Sequence, residues 1–333
     1  MGRIFIDGGE SGSLCLWDFI QLQNATPAIS TVQKECGNYS IYIGFGSIKY
    51  LRKDISGIST IHFKLHLWIE PSATYSKYIA SFWNNNGVQI TVMLDTANKV
   101  VVRRGDQAGT ILGTSIASFP NQTWCLLEGK LVIADSGGIA QIKMDGILEV
   151  DFTGDTRNQA SDALITNVRL GNPYATSTNG YYVDNFRLDD AEWIGNTRIQ
   201  AKVVNGAGNS TQFTPSSGQN WENVDEIPPN DADHVSGNAN DLLDLYTGSS
   251  LIGSVNSIRC VQVQARCNKE GSPTPQNLKL ACRTNNTNYL SSSKGISTTT
   301  ISLSHIWQNN PNTSSPWSIA EVNALEIGQQ SAA

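Results

Sequence analysis

Polar and apolar residues alternate along this chain in short runs, and that alternation limits its fold more than any other feature. Residues 3–6 (RIFI), 48–51 (IKYL), 61–69 (IHFKLHLWI), 78–83 (YIASFW), 88–94 (VQITVML) and 99–103 (KVVVR) carry it. So do 123–134 (TWCLLEGKLVIA), 139–144 (IAQIKM), 147–152 (ILEVDF) and 181–188 (YYVDNFRL). A period of two sends successive side chains to opposite faces of an extended backbone, so each run is predicted to be a strand with one buried face. Between the runs lie PSATYS, NNNG and DTANK, which are turn chemistry. Asp145-Gly146 joins two of the runs with a dipeptide suited to a type I′ hairpin. Long amphipathic helices are almost absent. Short strands at regular spacing predict an all-β chain that opens with a β-sandwich, not alternating βα units.

The pattern pauses near 189–197 (DDAEWIGNT) and restarts at 198–204 (RIQAKVV). A Gly/Asn/Ser-rich stretch at 205–220 and an acidic loop, ENVDEIPPNDADHVSG, come next. Further strands are predicted at 242–246, 257–266, 277–283 and 298–304, and PWSIAEVNALEIG fits a short helix or a last strand. Its Trp317, Val322, Leu325 and Ile327 are expected to pack on a second core. A chain of 333 residues suits about two domains. The expected division is 1–190, a linker at 191–197, a second β-rich sandwich-like domain at 198–328 and a C-terminal tail at 329–333.

Charge narrows the function. There are 23 Lys and Arg against 29 Asp and Glu, a net charge of −6, which disfavours wholesale contact with a phosphate backbone, so no nucleic-acid partner is expected. Only 16% of residues are charged, below the roughly 25% usual for globular domains, and Asn, Ser, Thr, Gln and Gly fill the gap. Such a neutral polar surface suits a structural shell or a carbohydrate-facing module. The opening segment lacks a continuous apolar stretch, no run is long enough to span a bilayer, and Ile6 occupies the position where myristoylation wants Ser or Thr; no membrane partner is expected. Cys15, Cys36, Cys125, Cys260, Cys267 and Cys282 contain no CxxC spacing, and with four His a structural zinc site is not expected. Most of these thiols read as small buried hydrophobes.

The stretch from Trp124 through Glu128, Lys130, Asp145-Gly146 and Asp151 to Gly154 resembles the concanavalin A-like lectin and laminin-G jelly-roll superfamily. There a Trp precedes an outward-facing Glu/Lys strand, and a Gly-rich turn and a hairpin follow. The likeness covers roughly residues 3–190 and implies a jelly-roll β-sandwich without fixing a ligand. Over nearly residues 1–328 the chain resembles a group of tailed-bacteriophage virion structural proteins. The matching segments are MGRIFIDGGESGSLCLWD, DDAEWIGNTRIQ, TQFTPSSGQNWENVDEIPPNDADHVS and WQNNPNTSSPWSIAEVNALEIG. That resemblance implies a capsid, tail or fibre component assembled in the host cytoplasm, with other virion proteins and copies of itself as partners.

The search for chemistry returns no catalytic residue. Hydrolases of the lectin-like superfamily carry paired Glu on one strand, and no such strand is present here. Glu149 and Asp151 share a face but fit a solvated sheet, and Glu128 and Lys130 fit a cross-strand ion pair. Asp225, Glu226, Asp231 and Asp233, beside His234, crowd one loop and are the candidate calcium ligands; the spacing is not that of an EF-hand, and Pro228-Pro229 stiffens the middle. Asp95, Asp135 and Asp184 are alternative calcium carriers at a sandwich rim. His62 and His66, four apart on a strand, stand about 13 Å apart, too far to share a metal. No other cofactor is expected. For a host-surface glycan, Tyr75, Tyr78 and Trp83 beside NNNG are the best candidate platform, because an aromatic beside Asn or Asp can stack on a sugar ring. Tyr174, Tyr181 and Tyr182 form a second aromatic cluster, expected at an interface. Three functions compete. The first is a non-enzymatic virion structural protein presenting a lectin-like domain, the second a glycan- or receptor-binding adhesin for host attachment, and the third a polysaccharide-degrading enzyme.

Overall fold

Asp145 and Gly146 both take positive φ, +46° and +84°, as a two-residue type I′ turn requires, and the strands on either side pair from Met144 with Ile147. The same logic extends through the first half of the chain. In the computed structural model, residues 2–21, 27–46, 48–71, 75–159, 162–174, 179–270 and 275–333 are described. They form two units: Met1–Glu10 with Trp17–Ile199, and Ser11–Leu16 with Gln200–Ala333.

The first unit contains β1 (Arg3–Asp7), β2 (Phe19–Gln21), β3 (Ala28–Ser30), β4 (Ser40–Ile43), β5 (Lys49–Ile58), β6 (Thr60–Ile69), β7 (Lys77–Asn84), β8 (Gly87–Leu94), β9 (Lys99–Arg104), β10 (Thr110–Ser118), β11 (Cys125–Val132), β12 (Gly138–Met144), β13 (Ile147–Gly154), β14 (Ile165–Asn172) and β15 (Tyr181–Asp189). One antiparallel sheet runs β13-β12-β11-β6-β15-β4-β3, with β1 also on β15. The other runs β10-β9-β8-β7-β14-β5-β2. Their inner faces meet in one apolar layer. Phe63 of β6 touches Phe82 of β7 with ring centroids 5.1 Å apart, and Leu51, Ile79, Ile90, Val92, Val168 and Leu170 are all fully buried. Burial of each such side chain contributes about 1.5–3 kcal/mol, which is what holds the two sheets face to face. The unit is a β-sandwich.

Five strands that the alternation did not mark complete it: the short β2, β3 and β4, and the longer β10 and β14. Thr110–Ser118 is an exposed edge, and Ile165–Asn172 sits at the centre of its sheet between β7 and β5. Residues 191–197, expected as a linker, belong to the first unit and lie on its first sheet. Trp193 packs edge-on against His62 and under the Lys143 ammonium, and the Gly195 amide donates to Glu128 Oε1. Glu128 thus serves a backbone amide, not the ion pair expected with Lys130.

The second unit is also all-β among its described residues, apart from a 3₁₀ turn at Asn220–Asn223 and one short α-helix. Val204–Thr211, Leu243–Gly248, Glu326–Ala332, Asn277–Thr284 and Thr287–Leu290 form one sheet in that order, joined by Lys294–Gly295. Val261–Cys267 pairs with Ile301–Trp307. The core gathers Val263, Leu280, Cys282, Trp307, Trp317, Val322 and Leu325. Three expectations are corrected. The strand placed at 198–204 lies one segment later, at Val204–Thr211, inside the Gly/Asn/Ser-rich stretch read as loop. The ambiguous segment is both helix and strand. Ser318 caps Ile319–Asn323 through a capping box with Glu321, and Glu326–Ala332 follows. The supposed tail at 329–333 forms most of that strand, paired on both sides, with Ser331 and Ala332 buried. All six cysteines are free thiols; Cys125 and Cys282 are buried and the other four half-buried.

Candidate functional site

The face of β7, β8, β9, β14 and β5 turned away from the core carries the candidate site. Pairing register places Phe19, Arg52, Arg169, Ser81, Thr91 and Arg103 in one cross-strand row over six strands. Their neighbours in sequence, among them Leu51, Leu170, Ala80, Val92 and Val102, point into the core. Rings and guanidinium groups alternate here. The Arg169 guanidinium lies 3.6 Å from the centroid of Trp83 and 4.9 Å from that of Tyr50. Arg52 lies 5.2 Å from Phe19, and Phe19 and Tyr50 are 6.0 Å apart. Planar cations over aromatic faces are attracted by the ring quadrupole, which fixes these side chains in a flat ladder.

Trp83 also forms one wall of an open recess of about 390 Å³. The rest of its lining comes from Gly87, Val88, Gly105, Asp106, Gly109, Asn158, Gln159 and Tyr174. Backbone fixes the recess. Gly105 has φ +92°, and a Cβ there would press within 3.1 Å of the Asn158 side chain; at Gly87 it would come within 2.8 Å of Gln159 Nε2. Asn158 and Gln159 are tied down by their amides, which both donate to Gln89 Oε1. Tyr174 shares a hydrogen bond with Thr91 through its hydroxyl, which burial pushes up to about 12, so it stays protonated at neutral pH. A neutral ring, two carboxamides, one carboxylate and a Trp thus surround a cavity of ligand size.

The sequence-predicted aromatics separate here. Trp83 borders the recess. Tyr78 is buried with Met93 and Val101 beneath Tyr174 and donates to Gln107 Oε1, so no face of it is open to a sugar. Tyr75 pairs with Phe45 instead, centroids 5.7 Å apart. The second expected cluster also divides, because neighbours on a strand face opposite ways. Tyr181 is core, its hydroxyl on the Tyr78 carbonyl. Tyr182 stacks between Tyr42 and Trp68 on the outer face of the other sheet. Tyr174 belongs to the recess.

The candidate acids are largely committed to structure. Asp231 forms a bidentate pair with Arg266, at 2.5 and 2.6 Å, and Glu226 is raised by burial and by the nearby Asp233 and Asp225 carboxylates. Among the described residues no three His, Cys, Asp or Glu side chains are placed to hold a metal, so Asp225, Glu226, Asp231 and Asp233 do not converge on a calcium position. Asp95 caps its own turn through the amides of Ala97 and Lys99, and Asp135 pairs with Arg157. Glu149 accepts the amides of Ile116 and Ala117, and Asp151 accepts from Gln141.

One buried cluster has the shifted protonation often seen at catalytic centres. Burial pushes Asp184 up to about 7, Lys64 down to about 8 and His66 down to about 4. Each is occupied by the chain itself. Asp184 accepts the Glu35 and Cys36 amides, Lys64 donates to the Thr197 carbonyl, and His66 contacts Asn185 and Asn196. Segment 193–199 covers them, so their shifts reflect a dry polar layer under the chain's own backbone. His62, farther along the same face of β6, packs on Trp193, while His305 packs on Trp307.

Reading the sequence alone misses Arg169, Tyr50, Arg52, Phe19, Asp106, Asn158 and Gln159. The signal for Arg169 is present in ITNVRLGN, where Ile165, Val168 and Leu170 are buried around it, but the bulge at Ile165/Asn167 breaks the strict alternation.

No family model matches the sequence, and no curated protein matches it. Solved structures with partial likeness include a carbohydrate esterase from the Shiga toxin-encoding bacteriophage phi24B, at 11% identity and TM-score 0.42 over 57% of this chain and 99% of that one. The carbohydrate-binding module CBM66 from Bacillus subtilis matches at 9% identity and TM-score 0.33 over 49% and 92%. Alginate lyase Aly36B matches at 14% identity and TM-score 0.35 over 49% and 82%.

Proposed function

We propose that this protein is a non-catalytic virion component whose first domain, a concanavalin A-like sandwich, binds carbohydrate on the outer face of β7, β8 and β14. The observation that carries the reading is Trp83, shared between the aromatic–arginine ladder and a recess lined by Asp106, Asn158, Gln159 and Tyr174. Sugars offer flat C–H faces to aromatic rings and hydroxyls to carboxamides and carboxylates, and this recess supplies both within one cavity. Binding is favoured over hydrolysis because Asp106 is the one carboxylate among the described lining residues, whereas hydrolysis by paired acids needs a second about 5–9 Å away. Asp106 is further engaged as acceptor of the Ala108 amide. The virion setting, with other virion proteins and further copies of this chain as neighbours, rests on the sequence resemblance over residues 1–328.

The test is a glycan array probed with the full chain, followed by titration of the best ligand against Trp83→Ala. Selective binding that the variant loses supports the reading. An array with no bound glycan, or a Trp83→Ala protein that binds as the parent does, overturns it. Release of reducing ends from a bound glycan would overturn the non-catalytic part alone.

A further inference from the structure

Among the described residues Arg169 forms no ion pair, although it stands on a face that carries other cations. It stands directly opposite Arg52 on the neighbouring strand, an arrangement of like charges that works against pairing. Arg52 is neutralised by Asp54, with Nε 3.0 Å from Oδ1 and a second contact at 3.2 Å. Among the described residues no carboxylate pairs with Arg169; its Nε reaches only the Asn167 side-chain oxygen, at 3.4 Å. A third arginine, Arg103, lies in the same cross-strand row, and its contact is a neutral one, the Gly109 carbonyl. Burial first, and the Arg52 charge with it, work against the charged form of Arg169, and Asp54, paired with Arg52, offsets only part of this. The fork lies against the rings of Trp83 and Tyr50, so its orientation is set before any ligand arrives.

We propose that the carbohydrate recognised on this face is an acidic one, a uronic or sialic acid-bearing saccharide whose carboxylate pairs with the Arg169 guanidinium while its ring occupies the Trp83 recess. The inference rests on the carbohydrate-binding reading and names the class of sugar. A planar carboxylate matches the guanidinium fork with two parallel hydrogen bonds, and it supplies the charge that the Arg169–Arg52 pair lacks. Trp83 touches both the recess and the guanidinium, so one saccharide can engage ring and fork together.

The experiment uses an array that carries uronic- and sialic-acid-terminated oligosaccharides beside the same oligosaccharides with the carboxyl reduced to an alcohol, and sulfated neutral ones. The full chain is compared with Arg169→Gln, Arg169→Lys and Trp83→Ala. The expected result is binding to acidic glycans, weakened about tenfold or more by carboxyl reduction or by Arg169→Gln. Arg169→Lys keeps the charge but not the fork and should recover only part of the affinity. Which acid type is retained identifies the source of the carboxylate. Equal binding of acidic and carboxyl-reduced glycans, or tighter binding of sulfated neutral ones, overturns this inference and leaves the carbohydrate reading standing. An array with no bound glycan overturns both. Melting temperatures guard against misfolding: Arg169→Gln removes a like charge opposite Arg52 but also the ring contacts with Trp83 and Tyr50, so it should keep one cooperative transition with a melting temperature close to that of the parent.

Discussion

Gly129 of β11 faces Phe63 of β6 across the pair, and a methyl group at Gly129 would overlap the edge of the Phe63 ring. Phe63 in turn touches Phe82 of the opposite sheet. The ring fills space that only a glycine leaves free, and it cannot retreat without displacing the other sheet. Gly129→Ala is therefore expected to destabilise the first domain by about 1–3 kcal/mol, as overpacked cores do. Urea unfolding followed by Trp fluorescence measures this. Phe63→Leu in the Gly129→Ala background should recover part of the loss; a double variant less stable than either single one would count against the packing account.

The Asp54 carboxylate is assigned the task of screening Arg52 from Arg169. Asp54→Asn should lower stability by about 0.5 kcal/mol at low salt, the scale of a cross-strand charge effect at a surface. High salt should erase the difference. Adding Arg169→Gln should erase it too, because the repulsion then has no second member. Persistence of the loss in either condition would mean that Asp54 acts by some other contact.

Alternation made the sandwich legible because the first unit has one wet face and one dry face on most strands. Where that condition fails, the reading failed. Strand β14 is centred on Arg169, half-buried in a ladder of rings, and strand β10 is an exposed edge with little apolar signal. Val204–Thr211 is polar and Gly-rich, VNGAGNST, and forms a strand because Leu243–Gly248 offers it a ladder partner. The site was legible only at Trp83. Tyr75 and Tyr78 sit near it in sequence, but a bulge between Tyr78 and Ala80 and burial under Tyr174 take Tyr78 out of reach. Arg169 and Tyr174 come from β14 and its following segment, about ninety positions along the chain, and no local pattern announces that meeting.

The buried polar layer gives a pH test with a definite sign. Asp184 titrates in the folded chain at about 7, against 3.8 when unperturbed, because burial disfavours its charge. Its protonated form therefore stabilises the fold fully below about pH 3.8, and that contribution is lost as pH rises to about 7. His66 runs the other way. Held at about 4 by burial, against 6.5, it favours the fold above about pH 6.5 and loses that as pH falls. The two overlap, so the parent protein alone is a poor readout. The difference between Asp184→Asn and the parent isolates the carboxyl: it should move in favour of the variant from about pH 4 to about pH 7 and then level. Denaturant midpoints across this range measure it, and a difference independent of pH would remove the assignment.

Calcium is expected to leave the melting temperature of the full chain unchanged. Asp231 is already held by Arg266, and no third acid among the described residues stands close enough to join it at an ion. An ion would have to break that pair before gathering ligands. Asp231→Ala, which removes only a surface pair, should cost less than about 1 kcal/mol. Thermal unfolding in millimolar calcium and in chelator tests both points. A calcium-dependent rise that Asp231→Ala abolishes would show that the loop rearranges into an ion site.

Deletion of residues 329–333 should be far more damaging than their place at the end of the chain suggests. Gln329 and Gln330 pair with Asp244 and Leu243 on one side and with Leu280 and Lys279 on the other. Ser331 donates to the Ala239 carbonyl and accepts the Leu242 amide, and Ala332 pairs with Asn277. Without these residues two neighbouring strands lose ladder partners that no other segment replaces, and buried backbone amides are left unsatisfied at about 1–3 kcal/mol each. The truncated chain is expected to lose cooperative unfolding of the second unit while the sandwich of the first keeps its own transition. Calorimetry of the two proteins decides it: an unchanged pair of transitions would return residues 329–333 to the status of a tail.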